Sequence, residues 1–393
     1  MKSARSWGRL GMKYKLFEIC EYAMGKVPVG MLNEKNYIST ENMLPNKGGI
    51  SRASTLPSVA QAQEYKTGDV LVSNIRPYFK KIWHAEFEGG CSNDVLVFRA
   101  RGNTDPGFLY YVLSNDEFFK YSMATSKGTK MPRGDKRAIM EYEVPKYPLS
   151  VQRKIASLLR TIDEKIVINN AINNNLEQQT MAMYTEKFEN TSNSDRQTCR
   201  ADEYFDIAIG KTPPRKETEW FSHNPSDVIW VSISDMGSCG LYISSSSEQL
   251  TPEAVERYNV KIVPDNTVLL SFKLTVGRIA ITDGEMTTNE AIAHFKTDNK
   301  TINEYLYCYL KRFNYQTMGS TSSIATAVNS KIIKSMPFVV PTENELTKFH
   351  EFAAPMFDLI KSNLKEIDRL SAIRDTLLPK LMSGEIDVSD IVL

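Results

Sequence analysis

The run Lys127-Gly128-Thr129-Lys130-Met131-Pro132-Arg133-Gly134-Asp135-Lys136-Arg137 sets five cationic side chains against one carboxylate. Cations this close suit an anion lying among them, and the two glycines let backbone approach a bulky surface, so phosphate is the natural ligand. A second basic stretch, Asn74-Ile75-Arg76-Pro77-Tyr78-Phe79-Lys80-Lys81, adds aromatic rings. In the second half the counterparts are Lys211, Arg215 and Lys216, then Lys273 and Arg278, and the hydroxyl-rich Gly319-Ser320-Thr321-Ser322-Ser323. Hydroxyls can meet phosphate or either base type. The candidate DNA contacts are therefore Arg76, Lys80, Lys81, Lys127, Lys130, Arg133, Lys136, Arg137, Lys211, Arg215, Lys216, Lys273, Arg278, Ser320, Thr321 and Ser322.

Catalytic chemistry is poorly supplied. No G-x-G-x-x-G follows a strand pattern and no P-loop occurs. Asn224-Pro225-Ser226-Asp227 lacks the second proline and the aromatic residue of an amino-methyltransferase motif. Asp163-Glu164-Lys165 has the form of a nuclease metal site, but positions i and i+2 of a helix diverge, so a solvated charged face is expected. His84, His223, His294 and His350 show no ligand spacing. Cys20, Cys91, Cys199, Cys239 and Cys308 are far apart with no C-x-x-C pair, which predicts free thiols in a reducing cytoplasm and no metal. No apolar run approaches the ~18 residues of a membrane span, and no signal peptide is apparent, so no membrane partner is expected. The net charge of +1 leaves nucleic acid open, because what matters is where the charge sits.

At 393 residues the chain is long enough for two or three domains, and 41% hydrophobic with 24% charged residues is a soluble globular composition. Residues 13–148 read as strand-rich, with runs such as Asp69-Val70-Leu71-Val72-Ser73 and Asp94-Val95-Leu96-Val97-Phe98, turns at Gly89-Gly90 and Gly102-Asn103, and a helix over 106–121. From 149 to about 188 glycine and proline vanish, and Ile155, Leu158, Ile162, Ile166, Ile172, Leu176 and Met183 recur at helical spacing. Such a helix spans roughly 60 Å and needs a partner for its apolar stripe. Asn169, Asn170, Asn173, Asn174 and Asn175 interrupt the stripe; a buried Asn there would fix register, whereas most are expected to face water. Residues 190–200 look like a polar linker. The second half repeats the plan: strand patterns at 228–233 and 267–272, a helix over 302–312, and a second long helix over 343–378, which Pro355 should kink and Pro379 should end.

The halves match in register. Gly68-Asp69-Val70-Leu71-Val72-Ser73 answers to Asp265-Asn266-Thr267-Val268-Leu269-Leu270-Ser271 with one insertion. Cys91-Ser92-Asn93-Asp94 answers to Thr287-Thr288-Asn289-Glu290, and Phe108-Leu109-Tyr110-Tyr111-Val112-Leu113 to Tyr305-Leu306-Tyr307-Cys308-Tyr309-Leu310. Tyr142-Glu143-Val144-Pro145 answers to Phe338-Val339-Val340-Pro341. Four matches at an offset that stays near 196 residues, each set ahead of a long helix, indicate an internal duplication. The expected fold is α+β: two β-rich domains separated by two long helices that pair as an antiparallel coiled coil about a pseudo-two-fold axis.

The chain resembles the specificity (S) subunits of type I restriction-modification systems. The likeness is carried by Val144-Pro145-x-x-Pro148-x-x-x-Gln152-x-x-Ile155-Ala156-x-x-Leu159-x-x-Ile162-Asp163-x-x-Ile166, by Asn173-x-x-Leu176-Glu177, by Gly210-Lys211-Thr212-Pro213, and most specifically by Arg374-Asp375-x-Leu377-Leu378-Pro379-Lys380-Leu381-Met382-Ser383-Gly384-Glu385-Ile386. Gly25-Lys26-Val27-Pro28 departs from the G-K-T-P pattern, and Pro341-Thr342-Glu343-Asn344-Glu345 lacks the second proline and the glutamine of the helix entry. The resemblance implies target recognition domains over 1–148 and 191–341, spacer helices over 149–190 and 342–393, and a non-catalytic, cytoplasmic subunit that reads a bipartite asymmetric sequence in double-stranded DNA. It implies two methylation (M) subunits as partners, bringing S-adenosylmethionine, and allows motor-nuclease (R) subunits; this chain binds no cofactor itself. The rivals are a coiled-coil scaffold that binds only protein, and a fused restriction-methylation enzyme, which would need the missing motifs.

Overall fold

The computed structural model describes residues 13–191, 193–318 and 328–388. The chain divides into two compact units, Met1–Ile166 with Arg369–Leu393, and Val167–Asp368. Both mix helix and strand, as the α+β expectation requires.

In the first unit an antiparallel sheet runs in the order Cys20–Tyr22, Val95–Ala100, Val70–Ser73, Ile82–His84. Its central strands bury both faces, which is why they read as unbroken apolar runs. Val70, Val72, Leu96 and Phe98 enter one core and Leu71, Val95 and Val97 another, the period-2 alternation of a strand. The first core also takes Phe108, Leu109 and Val112 of the helix Pro106–Ser114, Ile155 and Leu159 of a long helix Leu149–Tyr184, and Leu378 and Leu381 of a second long helix Glu343–Ser383. Each such side chain contributes about 2 kcal/mol on burial. A smaller sheet orders Lys26–Pro28, Gln61–Tyr65, Gly89–Cys91, Tyr37–Ile38.

The second unit repeats this ladder as Asp206–Ile209, Ile292–Lys296, Val268–Ser271, Ile279–Thr282, with Tyr242–Ile243 added in parallel. Lys13–Lys15 pairs with Glu143–Pro145 in the first unit, and Gln197–Arg200 pairs with Pro337–Val340 in the second. The core of the second unit takes Tyr184 of the first long helix and Phe349, Ala353, Phe357 and Ile360 of the second. There the helices meet through Asn169 to Glu366 (2.7 Å), Asn363 to Asn173 (2.8 Å) and Thr180 to Met356 (3.4 Å), so they run antiparallel. Asn169 and Asn173 are buried, while Asn170, Asn174 and Asn175 are exposed. In the first unit Asp163 is not a solvated group: it accepts from Tyr111 Oη (2.7 Å) and from Arg374 Nη1 (2.9 Å).

Several local expectations are corrected. Pro355 and Pro379 lie inside the second long helix; both are exposed, and Pro355 leaves the carbonyl four residues back, on exposed Glu351, to water. The helix stops instead at Gly384, whose φ of +78° suits glycine, with Glu385 N–H returning to Lys380 O. Asn115 breaks the expected 106–121 helix by capping a second one, Asp116–Ala124. Gly89 and Gly90 form a buried strand rather than a turn, pairing with Tyr65 and Glu64, and are glycines because a Cβ would strike Asn36 O at 2.1 Å or Leu32 Cδ1 at 2.6 Å. Ser232 ends the 228–233 strand by capping the helix Ile233–Ser238. Residues 197–200 of the polar linker are a strand.

Candidate nucleic-acid interface

In the first unit the hairpin of Val70–Ser73 and Ile82–His84 carries residues 74–81 at its tip. Arg76 and Lys80 both hold a left-handed backbone, φ +50°, a conformation that costs a non-glycine residue about 1 kcal/mol and needs surrounding support. The support is the other basic stretch. Arg76 N–H donates to Pro132 O (2.9 Å), Ile75 bridges Arg133, and Lys127 and Arg133 exchange two backbone hydrogen bonds at 2.9 and 3.0 Å. The two basic segments, separate in sequence, therefore form one surface, with Lys130 and Met131 exposed on the small loop that Lys127 and Arg133 close. Asn74 Oδ1 and Arg76 Nε are buried there without a hydrogen-bond partner, which is a costly state.

The cations on this face are not equivalent. Lys80 Nζ pairs with Asp116 (2.8 Å) and Lys81 Nζ donates to Thr40 O (2.6 Å), so both brace the loop rather than present a free charge. Burial pushes the Lys81 ammonium below its ordinary pKa. Lys127 meets Asp135 (2.5 Å) and Arg133 meets Asp94 (3.1 Å); the Lys127 bond, with two backbone N–H groups, holds the Asp135 carboxyl down at about 2. Lys130, Lys136 and Arg137 are exposed and have no ion-pair partner among the described residues. The sequence did not point to the turn at Asn46 and Lys47, also left-handed (φ +55° and +62°), which bonds Phe79 O and Lys80 O and sends Lys47 Nζ to Asp116. Two consecutive non-glycine residues before Gly48-Gly49 were its only signal.

The second unit builds the topologically equivalent hairpin from Val268–Ser271 and Ile279–Thr282. Lys273 is exposed at the tip, its Nζ 5.7 Å from the Phe272 ring. Arg278 instead turns inward and donates to Ile233 O (2.5 Å) under Gly237, where a Cβ would meet its guanidinium at 2.3 Å. That is a packing role, contrary to the sequence expectation. Arg278→Ala should lower the stability of the second unit by about 2 kcal/mol and leave the salt dependence of DNA binding unchanged. Urea unfolding and salt-titrated binding check this; a salt slope reduced by about one would put Arg278 on a phosphate instead.

Arg215 stacks on Phe221 (4.2 Å) and Trp230 (4.5 Å) and pairs with Glu248 (2.7 Å), while Lys211 Nζ donates to Tyr258 O (2.6 Å). Lys216 is exposed. Gly210 is required by its neighbours: a Cβ would meet Thr288 Oγ1 at 2.1 Å and Asn289 O at 2.2 Å. Ser320, Thr321 and Ser322, with the rest of that loop, lie outside the described residues. Three of the groups suited to acid–base or nucleophilic work are buried: burial holds His294 down at about 3, beside Thr288, and raises the Cys20 and Cys91 thiols to about 12. The five cysteines are free. Among the described residues no group of three His, Cys, Asp or Glu side chains is arranged to hold a metal, and no helix is long and apolar enough to cross a membrane.

Two sheet-and-helix units, each built on parts of the same two long helices and each showing a braced, cation-bearing hairpin, define an internally repeated α+β protein with basic loops at its hairpin tips. The chain belongs to the type I restriction modification DNA specificity domain family, whose model matches residues 11–178 and again 193–370. Among curated relatives, the type I restriction enzyme HindI specificity subunit of Haemophilus influenzae is 23% identical over 89% of this chain and 94% of its own. The MjaIX specificity subunit of Methanocaldococcus jannaschii is 24% identical over 72% of this chain and 70% of its own. The crystal structure of a type I restriction-modification S subunit from M. genitalium shares the fold, with a TM-score of 0.57 at 16% identity over 94% of this chain and 96% of that one.

Proposed function

We propose that this chain is the sequence-specificity subunit of a type I restriction-modification complex, each unit reading one half of a bipartite, asymmetric target in duplex DNA. The observation that carries the reading is one hairpin in two versions. The sheet order and the hairpin's place are the same in both units, while the tip is Arg76-Pro77-Tyr78-Phe79-Lys80 in one and Lys273-Leu274-Thr275 in the other. Shared framework with divergent tips suits two readers of different sequences and disfavours a palindrome. The recognition domains would cover 1–148 and 191–341 and the spacer helices 149–190 and 342–393, the copies arising by duplication.

The helices would act as an antiparallel coiled coil that sets half-site spacing, a reading supported by the Asn169–Glu366 and Asn173–Asn363 contacts. They would also dock two methylation subunits carrying S-adenosylmethionine, and through them motor-nuclease subunits. Val167, Ile168 and Ile172 of the first long helix, 66%, 52% and 38% exposed, are the apolar surface such docking would use.

The test is to map methylated bases in a host carrying this chain and its methylation partner. A bipartite motif with a fixed spacer is expected; a continuous motif, or none, would refute the reading. Removing one heptad from the first long helix and its facing heptad from the second should change the spacer while both half-sites stay the same. Altered half-sites would contradict the ruler.

A further inference from the structure

The hairpin tip of the second unit holds three apolar residues at alternate positions, and they are treated differently. Phe272 is fully buried and Val276 packs against the core of the unit, whereas Leu274 between them is 99% exposed. Its backbone is left-handed, φ +61°, and Thr275 N–H returns to Lys273 O at 2.7 Å, closing a γ-turn centred on Leu274. A positive-φ γ-turn is a rare, strained conformation, and a branched apolar residue gains nothing there from solvent. Glycine would be the unstrained choice.

The tip is nevertheless braced. Ser271 Oγ donates to Thr275 O (2.6 Å) and accepts from Arg278 N–H (3.0 Å), and Gly277 lies against the Tyr315 ring. A rigid turn thus thrusts one apolar side chain outward beside the exposed ammonium of Lys273. The equivalent tip in the first unit does something similar with aromatic rings: Tyr78 and Phe79, 48% and 38% exposed with centroids 4.7 Å apart, stand between left-handed Arg76 and Lys80.

We propose that Leu274 is a DNA-inserting wedge: it enters between two base pairs of the half-site read by the second unit, unstacking that step while Lys273 takes the adjoining phosphate. Strain at the turn and exposure of the leucine are both explained if the occupant is a base step, since prying two stacked base pairs apart from the groove exposes their apolar faces beside the flanking phosphates. Unstacking favours flexible steps, so the wedge would also select sequence at a position it does not hydrogen-bond. The inference rests on the specificity-subunit reading above.

The experiment uses the full chain with its methylation partner and duplexes of the mapped target, with 2-aminopurine placed at successive positions of each half-site. Positions at the methylated base are left out, because a methyltransferase extrudes that base itself. One step should brighten several-fold on binding. Leu274→Gly, which relieves the backbone, should fold at least as well as the parent yet lose that signal, bind about tenfold more weakly and keep the same salt slope. Leu274→Met should retain the signal. Binding without any brightened step, or an undiminished signal in Leu274→Gly, overturns the wedge and leaves the specificity-subunit reading intact. Failure of the parent complex to bind the mapped duplex would remove both.

Discussion

Replacing Glu345 with alanine should destabilise the second unit by about 3 kcal/mol, the largest loss expected from a single polar substitution here. Glu345 lies in the first turn of the second long helix, where Thr342 N–H and Oγ1 bond its carboxylate. Arg196 reaches it through Nε and Nη2, the shortest contact being 2.7 Å, with the arginine side chain only 8% exposed. The same guanidinium donates to Lys187 O, Phe188 O and Thr191 O, just beyond the end of the first long helix. One ion pair thus ties the exit of the first helix to the entry of the second, and deleting the carboxylate strands a largely covered cation. The Arg196 bond, with help from Asn193 and Thr342, holds the Glu345 carboxyl down at about 2. A folded-state value below the ordinary one means its contribution is complete above the unfolded pKa of about 4.5 and disappears as pH falls towards 2. Urea unfolding of the full chain between pH 7 and 3 checks both parts. The parent should lose stability on acidification more steeply than Glu345→Ala, and parallel acid limbs, or a loss under 1 kcal/mol at pH 7, would contradict the assignment.

That pair shows where sequence reading stops. Residues 190–200 look like a linker because they are polar, yet the Arg196 side chain is largely covered and residues 197–200 pair with Pro337–Val340. Nothing local to Arg196 reveals a carboxylate 149 positions away. The long helices were legible because an apolar stripe without glycine or proline is a local signal. Their ends were less so: Pro355 and Pro379 fit the helix on its exposed side, and Gly384, not proline, stops it. The asparagines divided for the same reason, since Asn169 and Asn173, buried on the seam, meet a facing helix that the sequence does not show.

The basic segments around residues 76 and 130 were legible as composition, but their union into one surface depends on backbone pairing between Ile75, Arg76, Pro132 and Arg133. Which cations are free was not legible at all. Lys80 and Arg278 stand in the right loops and point at Asp116 and at a helix carbonyl. Leu274 gave no warning either, because alternating apolar residues in a hairpin read as core until one of them is found outside it.

The distinction between bracing and free cations yields the second large effect. The triple variant Lys130→Glu, Lys136→Glu, Arg137→Glu should bind duplex DNA roughly a thousandfold more weakly at physiological salt, taking about 1.5 kcal/mol for each charge-assisted phosphate contact. The slope of log affinity against log salt should fall by about three, close to one counterion per contact. These three side chains are exposed, so the fold should be unaffected. By contrast Lys80→Ala and Lys81→Ala remove braces from the tip carrying Tyr78 and Phe79. They should relax sequence preference and lower stability while leaving the slope nearly unchanged, because neither ammonium faces solvent freely. The comparison is made with the chain and its methylation partner on target and non-target duplexes across a salt series. A basic face used only for solubility would leave the triple variant binding as the parent does. A face that grips phosphate without contributing to readout would weaken target and non-target duplexes by the same factor. The second pattern is the one expected of the triple variant, and a changed preference belongs to the bracing lysines.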